Sequence, residues 1–435
     1  MSTQVETTNP LERSFELSIP RKKIETEVDG RLKRLAPKIK LQGFRPGKVP
    51  LKIVAQQHGM QLHQEVLSDL LQKEFSAIIT KEKFNIAGQP HFAAKNQEND
   101  GDNYTFSVTF EIYPDVELVD ISGTEIKKPV LVIGDAEIQK TLEILRKQQA
   151  SFEPADRSAQ TGDQVNIDYN GQLDGKDFAG GQASGYSLLL GEGRLLKDFE
   201  AAIIGMRAGE EKSFDLVFPE DYPGKEVAGK KVVFTVKLNQ VSAATLPEID
   251  GEFARSLGVA DGDLGKMKEE IKANLEREVL QRTRAKLKEQ IMRALLDKTD
   301  LAVPQALIQR EIDSLIEEFR KGRAENGLRN QHDADIPRAI FAEKAERRVK
   351  LGLIVAKLID THKLSVGPEQ VRQYIEMLAQ NYENPEQVVN WHYASPDRVK
   401  SFEPVVLEDN VVSWALGQVN VIEETVAFDE FMERI

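Results

Sequence analysis

Glycine is distributed unevenly along this chain, and that distribution constrains the fold more than any other feature. Eight of the 29 glycines lie in residues 161–193, whereas the whole of residues 247–435 holds nine. Glycine weakens helices because of its backbone freedom, and for the same reason it is favoured in tight turns. The middle of the chain is therefore predicted to be a turn-rich β region, and the C-terminal region is left free to form helices.

Apolar periodicity predicts that residues 247–435 are almost entirely helical. One apolar stripe recurs at helical spacing: Leu264, Met267, Ile271, Leu275 and Val279. Pro304 and Pro337 stand where two further helices should begin, a position that tolerates proline. Residues 130–150 show the same period. We therefore expect this segment to pack with the helical body, which would make the middle region an insertion on that body.

The chain before residue 247 combines strands with helices, so its fold class is α+β. Phe15, Leu17 and Ile19 alternate with polar residues, a pattern typical of a half-buried strand. The same alternation predicts strands over 104–112, 165–169, 214–218 and 232–238, and helical spacing predicts helices over 21–36, from Pro50 onward and near 196–204. The predicted division is an α+β N-terminal domain (1–115), a linker (116–150), a small antiparallel sheet with one short helix (151–246) and an all-α domain (247–435).

Composition and motifs exclude several functional classes. The chain has no cysteine, so disulfide frameworks, thiolate metal sites and cysteine nucleophiles are excluded. Its six histidines form no zinc-protease pair, and segments 43–48 and 224–230 lack the hydroxyl residue of a nucleotide-binding loop. We expect no metal and no cofactor. We also expect no membrane partner, since no run approaches roughly 18 apolar residues and the N-terminus has no signal-peptide core.

Charge is concentrated in one short window. Residues 21–52 hold eleven basic and three acidic residues, a net charge of +8. The whole chain carries −13, so the remainder carries −21. Such asymmetry predicts one local contact with a polyanion on an otherwise acidic protein.

Aromatic and large apolar residues mark a candidate pocket in the middle region: Tyr169, Phe178, Tyr186, Leu195, Leu196, Phe199, Tyr222 and Phe234. In a small sheet such residues are usually core, but their order here is more specific. Tyr-Asn-Gly follows a strand, Leu-Leu-Lys-Asp-Phe-Glu begins the short helix, and Phe-Pro-Glu-Asp-Tyr precedes the last strand. Over residues 155–242 this order closely resembles the FK506-binding-protein (FKBP) type of peptidyl-prolyl isomerase.

The resemblance implies an apolar pocket that holds a proline ring. Phe199 would form the pocket floor, and the backbone N–H of Leu196 would donate a hydrogen bond to the substrate carbonyl. The walls would be Tyr169, Phe178, Tyr186, Leu195, Leu196 and Phe234, with Tyr222 carried over as a further site residue. Rotation about the X–Pro bond breaks amide resonance but no covalent bond, so the reaction needs no acid, base or metal. Tighter binding of the twisted amide than of the planar one lowers the barrier.

A loop in the basic window carries a second resemblance: Gly43-Phe44-Arg45-Pro46-Gly47-Lys48. Between two helices and ahead of an isomerase-like region, it looks like the ribosome-docking signature of the bacterial trigger factor family. With the helical C-terminal region, the resemblance covers the whole chain in order. It implies that Arg45 and Lys48 contact ribosomal RNA and acidic side chains, and that Phe44 inserts as an apolar anchor. Gly43 and Gly47 would permit the tight loop.

The family resemblance implies a cytoplasmic chaperone, partly ribosome-associated, with a built-in prolyl isomerase and two helical arms that enclose a cradle. Its expected partners are the large ribosomal subunit at the tunnel exit, through ribosomal protein and rRNA, and nascent or unfolded polypeptides. A homodimer off the ribosome is a further expectation. Two alternatives stay open: a free-standing isomerase with a helical dimerisation region, and a chaperone whose pocket no longer turns over substrate. The second is suggested by Ala179 and Asp198, which stand where the isomerase family often has an acid and usually has a glycine.

Overall fold

The computed structural model describes residues 10–39, 44, 49–95, 102–222, 224, 226–325, 336–380, 382 and 384–433. Its helices are α1 (Arg21–Leu35), α2 (Leu51–Glu82), α3 (Asp135–Gln148), α4 (Lys197–Ile203), α5 (Gly251–Ser256), α6 (Leu264–Lys298), α7 (Gln305–Glu325), α8 (Ala339–His362), α9 (Pro368–Ala379), α10 (Pro385–Tyr393), α11 (Pro396–Lys400), α12 (Glu403–Leu416) and α13 (Phe428–Glu433). Its strands are β1 (Glu12–Pro20), β2 (Ile86–Ala94), β3 (Asn103–Ile112), β4 (Glu125–Val130), β5 (Ser151–Pro154), β6 (Gln164–Leu173), β7 (Lys176–Leu189), β8 (Glu211–Val217), β9 (Lys231–Thr245) and β10 (Asn420–Thr425).

The chain divides into two compact units. The first comprises the described residues of Met1–Lys128 and Arg284–Glu424, and the second those of Pro129–Thr283 and Thr425–Ile435. None of the described helices is both long enough and apolar enough to cross a membrane.

In the first unit, an antiparallel sheet ordered β1-β3-β2 packs against α1 and α2. Alternate residues of β1 face these helices, which buries Phe15, Leu17 and Ile19 as their spacing predicts. Ile24 and Val28 of α1 are buried in the same cluster, one helical turn apart. The strand β2 was not predicted, because its pairing shifts register between Ala87 and His91 and disturbs the period of two.

The helical part of the first unit has three apolar clusters. The largest joins residues 116–126 with the end of α6, α8 and α12, a second joins α7 with α8, and a third joins α9 with α12. The carboxylate of Glu111 on β3 accepts the N–H groups of Gln305 and Ala306 at 2.9 and 2.7 Å. It thereby satisfies two donors at the start of α7 that the helix itself leaves unpaired.

The second unit contains α3, which packs with α5, the first half of α6 and α13. Ile138 and Leu142 of α3 are buried in one cluster with Met267 and Ile271 of α6.

The expectation that residues 247–435 are almost entirely helical misses β10, which pairs with β4. A strand of six residues that pairs with a partner far away in sequence leaves no periodic signal.

The rest of the second unit is the sheet that holds the candidate site. Its strands are antiparallel in the order β5-β9-β6-β7, and β8 also pairs with β9. The short helix α4 packs on this sheet through Phe199 and Ile203. The strand β7 was not predicted, because glycines interrupt its apolar pattern and its pairing with β6 shifts register twice. The turn-rich β region that glycine content predicts is thus a single sheet with one short helix packed on it.

Candidate functional site

A cavity of about 490 Å³ opens in the sheet of β5 to β9. Of the predicted site residues, seven line it: Tyr169, Phe178, Leu195, Leu196, Phe199, Tyr222 and Phe234. They come from three strands, one helix and two loops, so only the folded sheet brings them together. The structure therefore gathers in one cavity most of the residues that the sequence singled out.

Phe199 lines this cavity and is buried, with 4% of its surface exposed. Its ring centroid is 5.7 Å from that of Tyr169, 5.5 Å from Phe214 and 5.2 Å from Phe234. All three contacts are edge-to-face, the geometry that aromatic quadrupoles favour. The Phe199 ring is thus held in place by three other rings.

The ring of Phe234 reaches the cavity because of a glycine on the neighbouring strand. Gly171 on β6 pairs directly with Phe234 on β9. A Cβ atom at Gly171 would lie 2.5 Å from the Phe234 ring, closer than real Cβ contacts allow. Glycine is therefore required here so that the ring can lie across the strand.

Leu195 and Leu196 form the wall just before α4. The carbonyl of Leu196 accepts the N–H groups of Phe199 and Glu200 at 2.8 and 3.1 Å, so Leu196 is the first residue outside the helix. Its own N–H donates to no group in the part of the chain that the structure describes. A backbone donor is thus available at the wall of an apolar cavity.

Two tyrosines of the predicted set occupy different positions. Tyr222 is 39% exposed and packs its ring 4.7 Å from that of Phe218, at the cavity lining. Tyr186 is absent from the cavity lining, and its ring lies 6.0 Å from that of Tyr169. Tyr186 therefore contacts the cavity wall through Tyr169.

Five larger residues that also line the cavity are not among the site residues predicted from the sequence: Arg194, Leu216, Phe218, Glu226 and Val227. Leu216 and Phe218 carried a usable signal, since they continue the period of two that predicted β8. Val227 carried none, because it lies in a loop whose position depends on the folded sheet.

The cavity wall is mostly apolar, and the charged residues Arg194 and Glu226 in its lining are exposed. Burial raises the pKa of Tyr169, and the neighbouring Tyr186 and Tyr222 add to this shift. Its hydroxyl therefore stays protonated at neutral pH. Arg194 pairs with Glu192 and its side chain is 69% exposed, so its charge lies in solvent. The site offers apolar surface and a backbone donor rather than a general acid or base.

The predicted docking loop is largely outside the described residues. Phe44 is described and is 36% exposed, whereas Gly43, Arg45, Gly47 and Lys48 lie outside the described residues. Among the residues that the structure does describe, no group of three or more histidine or acidic side chains could hold a metal ion.

Comparison with known proteins assigns the whole chain to one family. Residues 1–145 match the model for bacterial trigger factor protein, residues 263–417 the model for its C-terminus, and residues 155–239 the model for FKBP-type peptidyl-prolyl cis-trans isomerase. The trigger factor of Nitrosomonas europaea is 61% identical over 99% of this chain and 98% of its own length. The chain belongs to the bacterial trigger factor family.

Other members of this family are also similar over their full length. The trigger factor of Nitrosospira multiformis is 51% identical over 100% of both chains, and that of Burkholderia multivorans is 46% identical over 99% of this chain and 98% of its own. A solved structure of the trigger factor chaperone, described for its promiscuous substrate recognition in folding and assembly, covers 95% of this chain and 99% of its own at 19% identity and a TM-score of 0.44. The family assignment rests on the sequence matches.

Membership confirms the resemblance and the fold class. The chain has the α+β N-terminal region, the FKBP-type sheet and the helical C-terminal region of a trigger factor. It is a ribosome-binding chaperone for nascent chains that carries a peptidyl-prolyl isomerase, and the free-standing isomerase is not favoured.

Proposed function

We propose that the aromatic cavity is the site where the chaperone isomerises X–Pro bonds. Phe199 is the floor against which the proline ring rests, with Tyr169, Phe178, Leu195, Phe234 and Tyr222 around it. The observation that carries this proposal is that one cavity combines a buried aromatic ring with the N–H of Leu196, which has no acceptor among the described residues. Tyr186 acts through Tyr169, the residue that it touches.

The chemistry follows from the properties of the amide. The planar X–Pro amide is resonance-stabilised and polar, and rotation costs about 18–20 kcal/mol in water. The twisted amide is less polar, so transfer into the apolar cavity favours it over the planar form. The N–H of Leu196 holds the substrate carbonyl while the bond rotates. Each tenfold gain in rate needs about 1.36 kcal/mol of such preference for the twisted state.

A substitution in the cavity wall tests this site without disturbing the core. Phe178 is only partly buried, so Phe178→Leu is expected to leave the fold intact and to slow turnover of a proline peptide about tenfold. The matched control is Val233→Ala, since Val233 precedes Phe234 on β9 and is 46% exposed outside the cavity. Equal turnover in the parent and in Phe178→Leu would contradict the assignment of the site.

We propose further that residues 1–115 dock this chaperone on the ribosome at the tunnel exit, through Phe44 and the neighbouring Gly43, Arg45, Gly47 and Lys48. The exposure of Phe44 within a window of net charge +8 supports this. Cations would contact rRNA phosphates and acidic side chains, and the phenyl ring would add an apolar contact. Such docking weakens as salt rises, because released counterions drive it.

Co-sedimentation with ribosomes across a salt series tests the docking loop. The parent is expected to pellet at low salt, and a triple variant with Phe44, Arg45 and Lys48 replaced by alanine is expected to stay in the supernatant. The control replaces Lys33 and Arg34, two exposed cations at the end of α1, and removes the same positive charge from the same window. If the control is lost as well, net charge rather than the loop directs docking.

Residues 247–435 form the proposed client-binding domain, with residues 116–150 as the linker and residues 151–246 as the isomerase domain. Large apolar side chains on helices and turns of this region are exposed rather than buried: Phe319, Ile340, Tyr382 and Trp391. Exposed apolar surface of this kind suits unfolded polypeptides that display the same chemistry. We propose that this work takes place in the cytoplasm, where nascent chains emerge, and that a homodimer covers part of this surface off the ribosome.

A further inference from the structure

Glu200 is a buried carboxylate beside the cavity that the chemistry above does not use. It is the fourth residue of α4 and is only 5% exposed. Glutamate is almost never fully buried unless partners satisfy it. The core around Glu200 consists of apolar side chains, so a buried carboxylate at this position has to be explained by the groups that it binds.

Both oxygens of Glu200 accept backbone N–H groups of the loop that leads into α4. The N–H of Gly191 donates to Oε2 at 2.9 Å, and the N–H of Leu195 donates to Oε1 at 3.3 Å. Hydrogen bonds to a charged acceptor are stronger than neutral ones. The carboxylate therefore ties the two ends of residues 191–195 to the helix that follows them.

The start of this loop is held independently. Leu190 exchanges backbone hydrogen bonds with Gly162 and Asp163 at 2.7 and 3.0 Å. Gly191 then adopts a φ of +98°, a conformation that turns the chain away from β7 and favours glycine. Between this turn and α4 lie four residues of the cavity lining, and the backbone there has no strand partner: Gly193, Arg194, Leu195 and Leu196.

We infer that Glu200 is a positioning residue for isomerisation, an inference that rests on the proposed role of the cavity. The bond from Leu195 N–H to the carboxylate fixes the Arg194–Leu195 peptide plane, which precedes the plane that carries the N–H of Leu196. The helix fixes the plane after it, through the carbonyl of Leu196. Held on both sides, the free N–H of Leu196 keeps one direction relative to the Phe199 floor. A donor that is already aligned costs no reorganisation when the amide twists.

The full-length variant Glu200→Gln tests this inference. The glutamine side chain keeps the shape but has one acceptor oxygen instead of two, so one loop N–H loses its partner. We expect kcat for a proline peptide to fall about tenfold, the effect of about one lost charged hydrogen bond, with KM near the parent value because the aromatic walls are unchanged. Asp198→Asn is the control, since Asp198 lies exposed on the same helix and neutralises the same charge.

A spectroscopic readout separates positioning from stability. In full-length protein labelled with 15N-leucine, addition of the proline peptide is expected to shift the Leu196 amide proton downfield in the parent and in Asp198→Asn, but not in Glu200→Gln. Glu200→Asp keeps the charge with a shorter reach, so its kcat is expected to lie between those of the parent and Glu200→Gln. This second variant keeps the inference testable if Glu200→Gln folds poorly.

The outcomes are distinct. Parent-like kcat or a parent-like Leu196 shift in Glu200→Gln overturns the positioning role and leaves the cavity assignment untouched. Faster amide exchange across the whole sheet, with a loss of kcat equal to the unfolded fraction, overturns it in favour of a purely structural role. A parent that fails to accelerate isomerisation of the peptide refutes the proposed role of the cavity, and the inference about Glu200 with it.

Discussion

Replacing Phe199 by leucine is expected to remove most isomerase activity at a moderate cost in stability. Phe199 is 4% exposed and makes edge-to-face contacts with Tyr169, Phe214 and Phe234. Leucine retains much of the buried apolar volume but loses three ring pairs, each worth about 0.5–1.5 kcal/mol. We expect the free energy of unfolding to fall by about 2–3 kcal/mol, which a domain of about 5–15 kcal/mol survives.

The effect of Phe199→Leu on turnover should be larger than its effect on folding. The substituted ring is the floor of the cavity, so the proline ring loses its main contact in the twisted state. A loss of about 1.4–2.7 kcal/mol in transition-state binding corresponds to a 10- to 100-fold fall in kcat/KM. A protease-free proline-peptide assay measures this, and urea unfolding measures the change in stability.

Phe214→Leu is the matched control for this prediction. The Phe214 ring packs against Phe199 and Phe234 at 5.5 and 6.2 Å, but it does not line the cavity. Its loss should reduce stability by a similar amount and leave turnover close to that of the parent. If both variants lose turnover in proportion to stability, Phe199 is only a core residue and our reasoning fails. Suppression of aggregation of an unfolded client should be unchanged in both.

Three further predictions concern stability. Asp163 is buried; burial alone would raise its pKa, but hydrogen bonds from Arg157 and the backbone lower it overall. Asp163→Asn should therefore destabilise the isomerase sheet at neutral pH. Urea unfolding across a pH series should show the stability difference between parent and variant shrink below about pH 4, where the carboxyl of the unfolded chain becomes protonated. Gly191→Ala should lower the free energy of unfolding by about 2–4 kcal/mol in calorimetry, because the residue has a φ of +98° and the added Cβ would lie 2.6 Å from Thr161 Cγ2. Glu111→Gln should cost about 1 kcal/mol in chemical denaturation, because it weakens the cap on α7.

Local patterns in the sequence predict much of the fold. The helices α7 and α8 begin just after Pro304 and Pro337, because proline suits the first turn of a helix and cannot continue one from before. The strands β1 and β3 follow from an uninterrupted period of two. The strands β2 and β7 cannot be predicted in this way, because register shifts interrupt their period of two. Only pairing with neighbouring strands in the folded protein holds them in the sheet.

The candidate site could be predicted only in part. Phe199 and Phe234 are aromatic residues at positions of the FKBP motif, and the resemblance to that family predicts both as pocket residues. No signal in the sequence separates Tyr186, which supports the wall, from Tyr169, which forms it. Both rings pack against the same apolar core, so the difference depends on where each lies along the sheet once β6 and β7 pair with shifted register.

The sequence by itself determines most of the helices, the strands with an uninterrupted period of two, the order of the domains and the family, since these depend on neighbouring residues. Only the tertiary structure decides that Phe178, Phe199 and Phe234 share one cavity and that Glu200 holds the loop at Leu195. Periodicity specifies which face of an element is apolar, but not which other element will cover it. That choice is made by packing and strand pairing between residues far apart in the chain, where burial and hydrogen bonding are satisfied together.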